Sequence, residues 1–353
     1  MNGKRAAMKT RGIGCVVLGV VAVLVSLPLL VQAEDNVLNV YNWDDYIDEA
    51  TIPAFEETFG VKVHYDVYDS NETLLAKLQA GATGFDVIFP SDYMVEIMIQ
   101  LDLLEPLDKA QIPNFAHLDP QFLDQPFDPG NVYSVPYTWG TAGIGYRADQ
   151  VTVPVESWGI MFDPAYAGKI VMLDDMRETI GAALKYLGYS LNTSDPQALQ
   201  EAKALLIEQK GLLKAYTSAQ AELFLLSGDA WLAHNWSGDV YRVAAEDPAI
   251  KYVIPQEGSS KFIDTCAIPK TAQNTALAHT FINFLLDPEV DARIHNHIRY
   301  LTPSKAALPY LDDALRTTLE QMSPEVAAKL EYIEDLGEAT RLWDKIWTEI
   351  KAQ

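Results

Sequence analysis

Short β-rich runs alternate with helical stretches along most of this chain, and that alternation limits it to layered α/β architectures. Val37–Tyr41 reads as a strand, Glu49–Phe59 as a helix closed by Gly60, and Val61–Tyr68 as a second strand. Ser70 with Glu72 marks a helix start leading into Leu74–Leu78, closed by Gly81. Asp86–Phe89 is a third strand, with a helix from about Asp92. This βαβαβ run is the unit of a parallel sheet. Pro106–Pro136, rich in Pro and Asp, is expected to wrap the surface as loops. From about Thr141 a second series begins. Its strands are Lys169–Leu173, Ala230–His234, Lys251–Ile254 and Phe262–Ile268. Its helices are Glu178–Leu187, Pro196–Gln209, one after Trp236, Ala276–Leu286 and Pro288–His297. The last fifty residues read as helical, ending at Leu342–Ile350. At 353 residues the chain is long enough for two domains. No flexible linker separates them, so short structured crossings must join them, as in a hinge.

Residues 1–33 have a different composition. Lys4, Arg5, Lys9 and Arg11 precede the uncharged run Ile13–Val31, followed by Val31-Gln32-Ala33 and the acidic Glu34-Asp35. This is the pattern of a secretory signal peptide cut after Ala33. The run approaches membrane-spanning length, so an uncleaved anchor is the alternative, although Pro28 and Gln32 favour cleavage. Cys15 sits at the start of the apolar run, whereas a lipidated cysteine would follow it. Cys266 is then the single remaining cysteine, expected to be buried and unable to form an internal disulfide. Acidic residues number 49 against 26 basic ones, a net charge of −23. Such a field repels nucleic acid and anionic membranes and attracts cations.

In α/β sheets ligands bind beyond the carboxyl ends of the strands, so the residues that follow each strand carry the most information. They are Asn42-Trp43-Asp44-Asp45-Tyr46, Pro90-Ser91-Asp92-Tyr93, Asp174-Asp175 with Glu178, and Asn235-Trp236-Ser237-Gly238-Asp239. Each piece has an ordinary explanation. Trp43 and Tyr46 suit a core, Ser91, Asp92, Asp174 and Asp175 suit helix caps, and Glu178 and Asp239 suit solvated helix faces. What those explanations leave out is why aromatics accompany acids after three strands of four. Aromatic faces attract ammonium groups by about 0.5–2 kcal/mol, and hydrogen bonds to charged groups contribute about 1.5–3 kcal/mol. Rings between carboxylates suit a ligand with apolar methylenes between cationic ends. Other chemistries are weakly supported. The six histidines are scattered, Gly140-x-x-Gly143-x-Gly145 lacks dinucleotide spacing, and no Gly-x-Ser-x-Gly, Walker or zinc-protease motif occurs, so neither metal nor cofactor is expected.

These residues resemble the periplasmic spermidine/putrescine-binding proteins of polyamine ABC transporters, from about Leu38 to the C-terminus. The markers are Tyr41-Asn42-Trp43-Asp44-Asp45-Tyr46, Ser70-Asn71-Glu72-Thr73, Pro90-Ser91-Asp92-Tyr93, Asn114-Phe115 with Leu118-Asp119-Pro120, and Pro126-Phe127-Asp128-Pro129. Further on come Ser134-Val135-Pro136-Tyr137-Thr138-Trp139-Gly140, Asp174-Asp175 with Arg177-Glu178, and Asn283-Phe284-Leu285-Leu286. The resemblance implies a type II binding-protein fold of two α/β lobes, each a mixed sheet flanked by helices. Residues 34–140 plus 264–308 would form one lobe, and 141–263 plus 309–353 the other. Crossings would fall near Tyr137–Ala142, Gly258–Asp264 and Ala307–Asp313.

The resemblance also implies the ligand positions: Trp43, Tyr46, Ser91, Tyr93, Asp175, Glu178, Trp236, Asp239, Phe262, Asp264 and Tyr300. Asp264 would pair with an inner or central amine and Asp175 with Glu178 would hold a terminal one, while Asp44 or Asp45 contacts the other end. Ile333 stands where spermidine binders offer a glutamine. Phe262 and Asp239 resemble the putrescine type and the Asp175/Glu178 pair the spermidine type, a mosaic that leans to spermidine with putrescine accepted. The expectation is a monomeric, non-enzymatic periplasmic receptor that hands a polyamine to membrane permease subunits. The rivals are a receptor of the same fold for another cation or an amino-acid-like ligand, an extracellular enzyme acting on amines or glycans, and a sensor on the same fold. An amino-acid-like ligand would need an arginine in the cleft, for which Arg177 is the candidate.

Overall fold

The structure, a computed structural model, describes Gly3 and residues 36–218, 220–316 and 324–352. Apart from Gly3, the expected signal segment lies outside the described residues. β1 (Val37–Trp43) pairs in parallel with β2 (Lys62–Tyr68) along its whole length and with β3 (Val87–Ile88) on its other side. The crossovers are α1 (Thr51–Phe59) and α2 (Asn71–Gln79). α1 stops at Gly60, whose φ of 66° is a left-handed conformation that glycine adopts without a Cβ penalty. α2 starts at Ser70, whose hydroxyl accepts the Thr73 N–H at 3.2 Å. α3 (Asp92–Gln100) follows β3 directly.

The sheet continues through β9 (Ser260–Ala267), antiparallel to β3, and then β4 (Ser134–Arg147). β4 is fourteen residues long and belongs to both halves of the molecule. Ser134–Thr141 pairs with β9, whereas Ala142–Arg147 pairs with β7 (Leu232–Trp236) and β8 (Ile250–Val253). Beyond β7 lie β5 (Ile170–Met172) and β6 (Leu213–Tyr216), giving the order β2-β1-β3-β9-β4-β7-β5-β6. Each half has its own cores. Leu38, Phe55, Val87 and Phe281 pack on one side of the first half, and Tyr41, Leu74, Ile88 and Met98 in a second cluster. In the second half, α4 (Met176–Tyr186), α5 (Pro196–Lys210) and the C-terminal helix Thr340–Ala352 bury Ile180, Leu199, Leu206, Trp343 and Ile346 together. Cys266 is buried with a free thiol, as expected.

Several expectations need correction. The stretch after Leu301 is not helical throughout. Among its described residues, Leu308–Tyr310 is one 3-10 turn, Glu331–Tyr332 forms β10 against β9, and the long helix begins only at Thr340. Pro309 sits within the 3-10 turn, and residues 313–316 are helical. Leu311 and Leu315 pack against Ala292, Leu301 and Ala307. Within Pro106–Pro136 the chain makes three 3-10 turns that turn Ile112, Leu118 and Phe122 inward. Asp128, also buried there, accepts from the N–H groups of Val132, Tyr133 and Ser134 and from the Ser134 hydroxyl. β6 and the short α6 (Ala221–Leu226) had no counterpart in the sequence reading, because β6 offers only four residues with a lysine among them.

Candidate ligand-binding site

The carboxyl ends of β1 and β3 and the middle of β9 meet around one buried carboxylate. Asp264 accepts from the Tyr46 hydroxyl at 2.5 Å and from the Ser91 hydroxyl at 2.6 Å. Ser91 occupies the N-cap position of α3 without capping it, so its hydroxyl is available to Asp264. Asn71, at the start of α2, holds this corner. Its amide donates to Ser91 Oγ at 3.0 Å and to the Tyr93 hydroxyl at 3.1 Å, and its carbonyl accepts the Ser91 N–H. Asp264 forms no ion pair with a basic side chain among the described residues, and burial pushes its carboxyl up to about 6. Tyr300 packs edge-on to Tyr46 at 5.2 Å and at 6.0 Å to Phe262, placing three rings beside this carboxylate. Trp43 lies at 4.6 Å from Tyr68 and donates its indole N–H to the Phe89 carbonyl.

A second acidic group comes from β5. Asp175 caps α4 by accepting the Glu178 N–H at 2.9 Å, so the ordinary capping role and the site position coincide in one residue. Glu178 is buried and accepts from Ser260 Oγ at 2.7 Å and from the Trp236 indole at 3.3 Å. Burial, then the neighbouring Asp175, raises Glu178 to about 7, and burial raises Asp175 as well. Tyr93 stands between the halves. Burial, then the fields of Glu72 and Asp175, lifts its hydroxyl far above the usual range.

A third group surrounds Asp239 on α7 (Ser237–Glu246). Burial and the nearby Glu222 raise Asp239 to about 7, while Arg242 and a hydrogen bond with Tyr300 oppose the shift. Space for Tyr300 depends on Gly238, where a Cβ would lie 2.3 Å from the ring, and Phe262 depends likewise on Gly140.

Of the thirteen sequence-derived positions, Asp44 is not part of the cluster. It is exposed, and among the described residues its carboxylate accepts only the Asp45 N–H. Asp45 reaches across to Arg242 at 3.4 Å. Arg177, the one arginine the sequence placed near the site, is engaged elsewhere. It donates to the Glu334 carbonyl and to Asn192, both at 2.8 Å, and stacks on Trp343.

The sequence reading missed Asn71, Ser260, Arg242 and Asp92 as site components. Asp92 is buried, accepts the Ile263 and Tyr93 N–H groups, and is pushed by burial up to about 8, so it ties α3 to β9 beside Asp264. Asn71 lies inside the Ser70-Asn71-Glu72-Thr73 marker and Asp92 directly after Ser91, so both signals were present.

Two α/β halves that share one long strand and enclose a site between their sheet ends define a type II solute-binding protein. Residues 50–347 match the bacterial extracellular solute-binding protein family, and the chain belongs to it. The chain is 38% identical over 345 residues to the putrescine-binding periplasmic protein SpuD of Pseudomonas aeruginosa, covering 92% of this chain and 94% of that protein. It is 34% identical over 323 residues to the spermidine/putrescine-binding periplasmic protein of Escherichia coli, with 90% and 92% covered. Among solved structures, it is similar to the spermidine/putrescine ABC transporter substrate-binding protein PotD of Streptococcus pneumoniae. There the TM-score is 0.79 at 34% identity, covering 90% of this chain and 99% of that one.

Proposed function

We propose that this protein is a periplasmic receptor that encloses spermidine or putrescine between its lobes and delivers it to the permease of an ABC transporter. The observation that carries this reading is Asp264, a buried carboxylate satisfied, among the described residues, only by hydroxyls and flanked by the rings of Tyr46, Tyr300 and Phe262. A buried anion without a counter-ion is costly, and a ligand ammonium relieves that cost while its methylenes lie along the rings. Glu178 with Asp175 supplies a second such position, next to the Trp236 indole. An amino-acid-like ligand is disfavoured because Arg177 and Arg242 are already committed to groups of the protein. The names of the relatives support the polyamine class.

Trp43, Tyr46, Ser91, Tyr93, Asp175, Glu178, Trp236, Asp239, Phe262, Asp264 and Tyr300 form the contact set in this reading, with Asp45 at the mouth. The lobes are residues 34–140 with 264–308, and 141–263 with 309–353. Residues 1–33 serve as a cleaved export signal, and the receptor acts as a monomer without catalysis. Asp264→Asn tests the reading, because the amide keeps the shape and removes the charge. Calorimetric titration of the variant is expected to show polyamine affinity reduced by about ten- to a hundredfold, the loss of one charge-assisted hydrogen bond. Unchanged affinity in a folded variant would overturn the assignment.

A further inference from the structure

We propose that Asn71 is a positioning residue of the polyamine site: its amide fixes the direction of two hydroxyl hydrogens, sending that of Ser91 to Asp264 and that of Tyr93 to Glu72. This rests on the polyamine reading above and deepens it. Asn71 is the first residue of α2 and is buried. Its ordinary role there would be to cap the helix, but Ser70 already does so, accepting the Thr73 N–H at 3.2 Å. The orientation of the amide follows from the Ser91 N–H, which can only donate and lies 3.2 Å from Asn71 Oδ1. The amide nitrogen then faces Ser91 Oγ at 3.0 Å and the Tyr93 hydroxyl at 3.1 Å, which uses both of its hydrogens.

A hydroxyl has one hydrogen to give. Ser91 Oγ accepts from Asn71 and passes its own hydrogen to Asp264 Oδ1 at 2.6 Å, while Tyr46 donates to Oδ2. The Tyr93 hydroxyl accepts from Asn71 and donates to Glu72 Oε1 at 3.3 Å. Each hydroxyl hydrogen is therefore directed at a carboxylate, and neither is left to face a cationic ligand. Bonds in such a chain polarise one another, so the Asn71 amide strengthens the Ser91 donation that supports the Asp264 charge. An apolar group in place of the amide frees both hydroxyls to turn, and ligand binding must then fix them again. Among the described residues Asn71 makes no hydrogen bond to Asp264 itself. Its influence on the carboxylate runs through Ser91, and its influence on the aromatic wall runs through Tyr93.

The test is calorimetric titration of spermidine and putrescine into the parent protein, Asn71→Leu and Asn71→Ala, and into the same replacements made in a Ser91→Ala/Tyr93→Phe background, with thermal denaturation as the control for folding. In the parent background, losing the amide is expected to weaken both polyamines by about tenfold, the lower end for a hydrogen bond to a charged group. Without the two hydroxyls the amide has nothing to direct, so the same replacement is expected to change affinity by less than about twofold. Leu keeps the volume and Ala is the better helix former, so the comparison is read in whichever variant folds. A loss of the same size in the Ser91→Ala/Tyr93→Phe background would assign Asn71 to packing and overturn the proposal, as would unchanged affinity in the parent background. Both results would leave the receptor reading intact. Failure of the parent protein to bind either polyamine would overturn that reading as well.

Discussion

Acidification should weaken ligand binding steeply, and the structure sets the scale. In the ligand-free protein, burial holds Asp264 up at about 6, and burial with the nearby Asp175 holds Glu178 up at about 7. A bound ammonium favours the ionised carboxylate, so binding lowers both values. Below the free-state value a proton must leave before the ion pair forms, which costs about tenfold in affinity per pH unit for each group. At pH 5 this is one unit for Asp264 and two for Glu178, together about a thousandfold relative to pH 8. Ligand amines have ordinary values near 10.4 and stay charged throughout, so the effect belongs to the protein. Titration calorimetry at pH 8, 7, 6 and 5, in buffers of different ionisation enthalpy, measures both the affinity and the protons released. Glu178→Gln should remove about a hundredfold of the dependence between pH 8 and pH 5. Affinity that is flat from pH 8 to pH 5, with heats independent of buffer, would refute the argument.

The same carboxylates should give the ligand-free protein an inverted pH dependence of stability. Asp92, Asp239, Glu178 and Asp264 are all raised above their ordinary values, to about 8, 7, 7 and 6. Stability from a raised group is complete below its unfolded-state value and is lost as pH rises through the folded one. The thermal midpoint is therefore expected to fall between pH 5.5 and pH 8.5 without ligand, and a rise over that range contradicts the shifts. Gly238→Ala should be poorly tolerated, because its Cβ would lie 2.3 Å from the rigid Tyr300 ring. Overpacking of this kind costs about 1–3 kcal/mol, so denaturation should show lower stability and titration weaker polyamine binding. A variant equal to the parent in both would show that Tyr300 is not held in place there.

The fold was legible wherever local chemistry and tertiary packing agree. Gly60, Ser70 and the alternation around β1, β2 and β3 marked α1 and α2 before any packing was known, and the elements formed there. The site was legible as strand ends carrying rings and acids, since a sheet places such ends along one edge. Pairings made across long sequence separations were not. Asp45 and Arg242 lie far apart in the chain and meet only because β4 joins the two halves. Asp44 and Asp45 are neighbours of the same type, yet Asp45, at φ 52°, turns towards Arg242 while Asp44 stays in solvent. Ser91 and Asp175 both had the composition of helix caps. Asp175 caps its helix and Ser91 does not, and only the position of Asp264 separates the two cases. The chain after Leu301 is helical only in parts, because Leu311 and Leu315 are held by long-range packing against Ala292, Leu301 and Ala307 and Glu331–Tyr332 pairs with β9.

The central claim is that the buried carboxylates form a polyamine site and are not merely part of an acidic surface. The most direct measurement is calorimetric titration of the protein, unfolded and refolded to strip carried-over ligand, with spermidine, putrescine and cadaverine at physiological salt. Lysine, arginine and magnesium serve as charge controls. Saturable one-to-one binding of polyamines that the controls do not reproduce is the predicted result. Weak, salt-sensitive heats shared by every cation would contradict it.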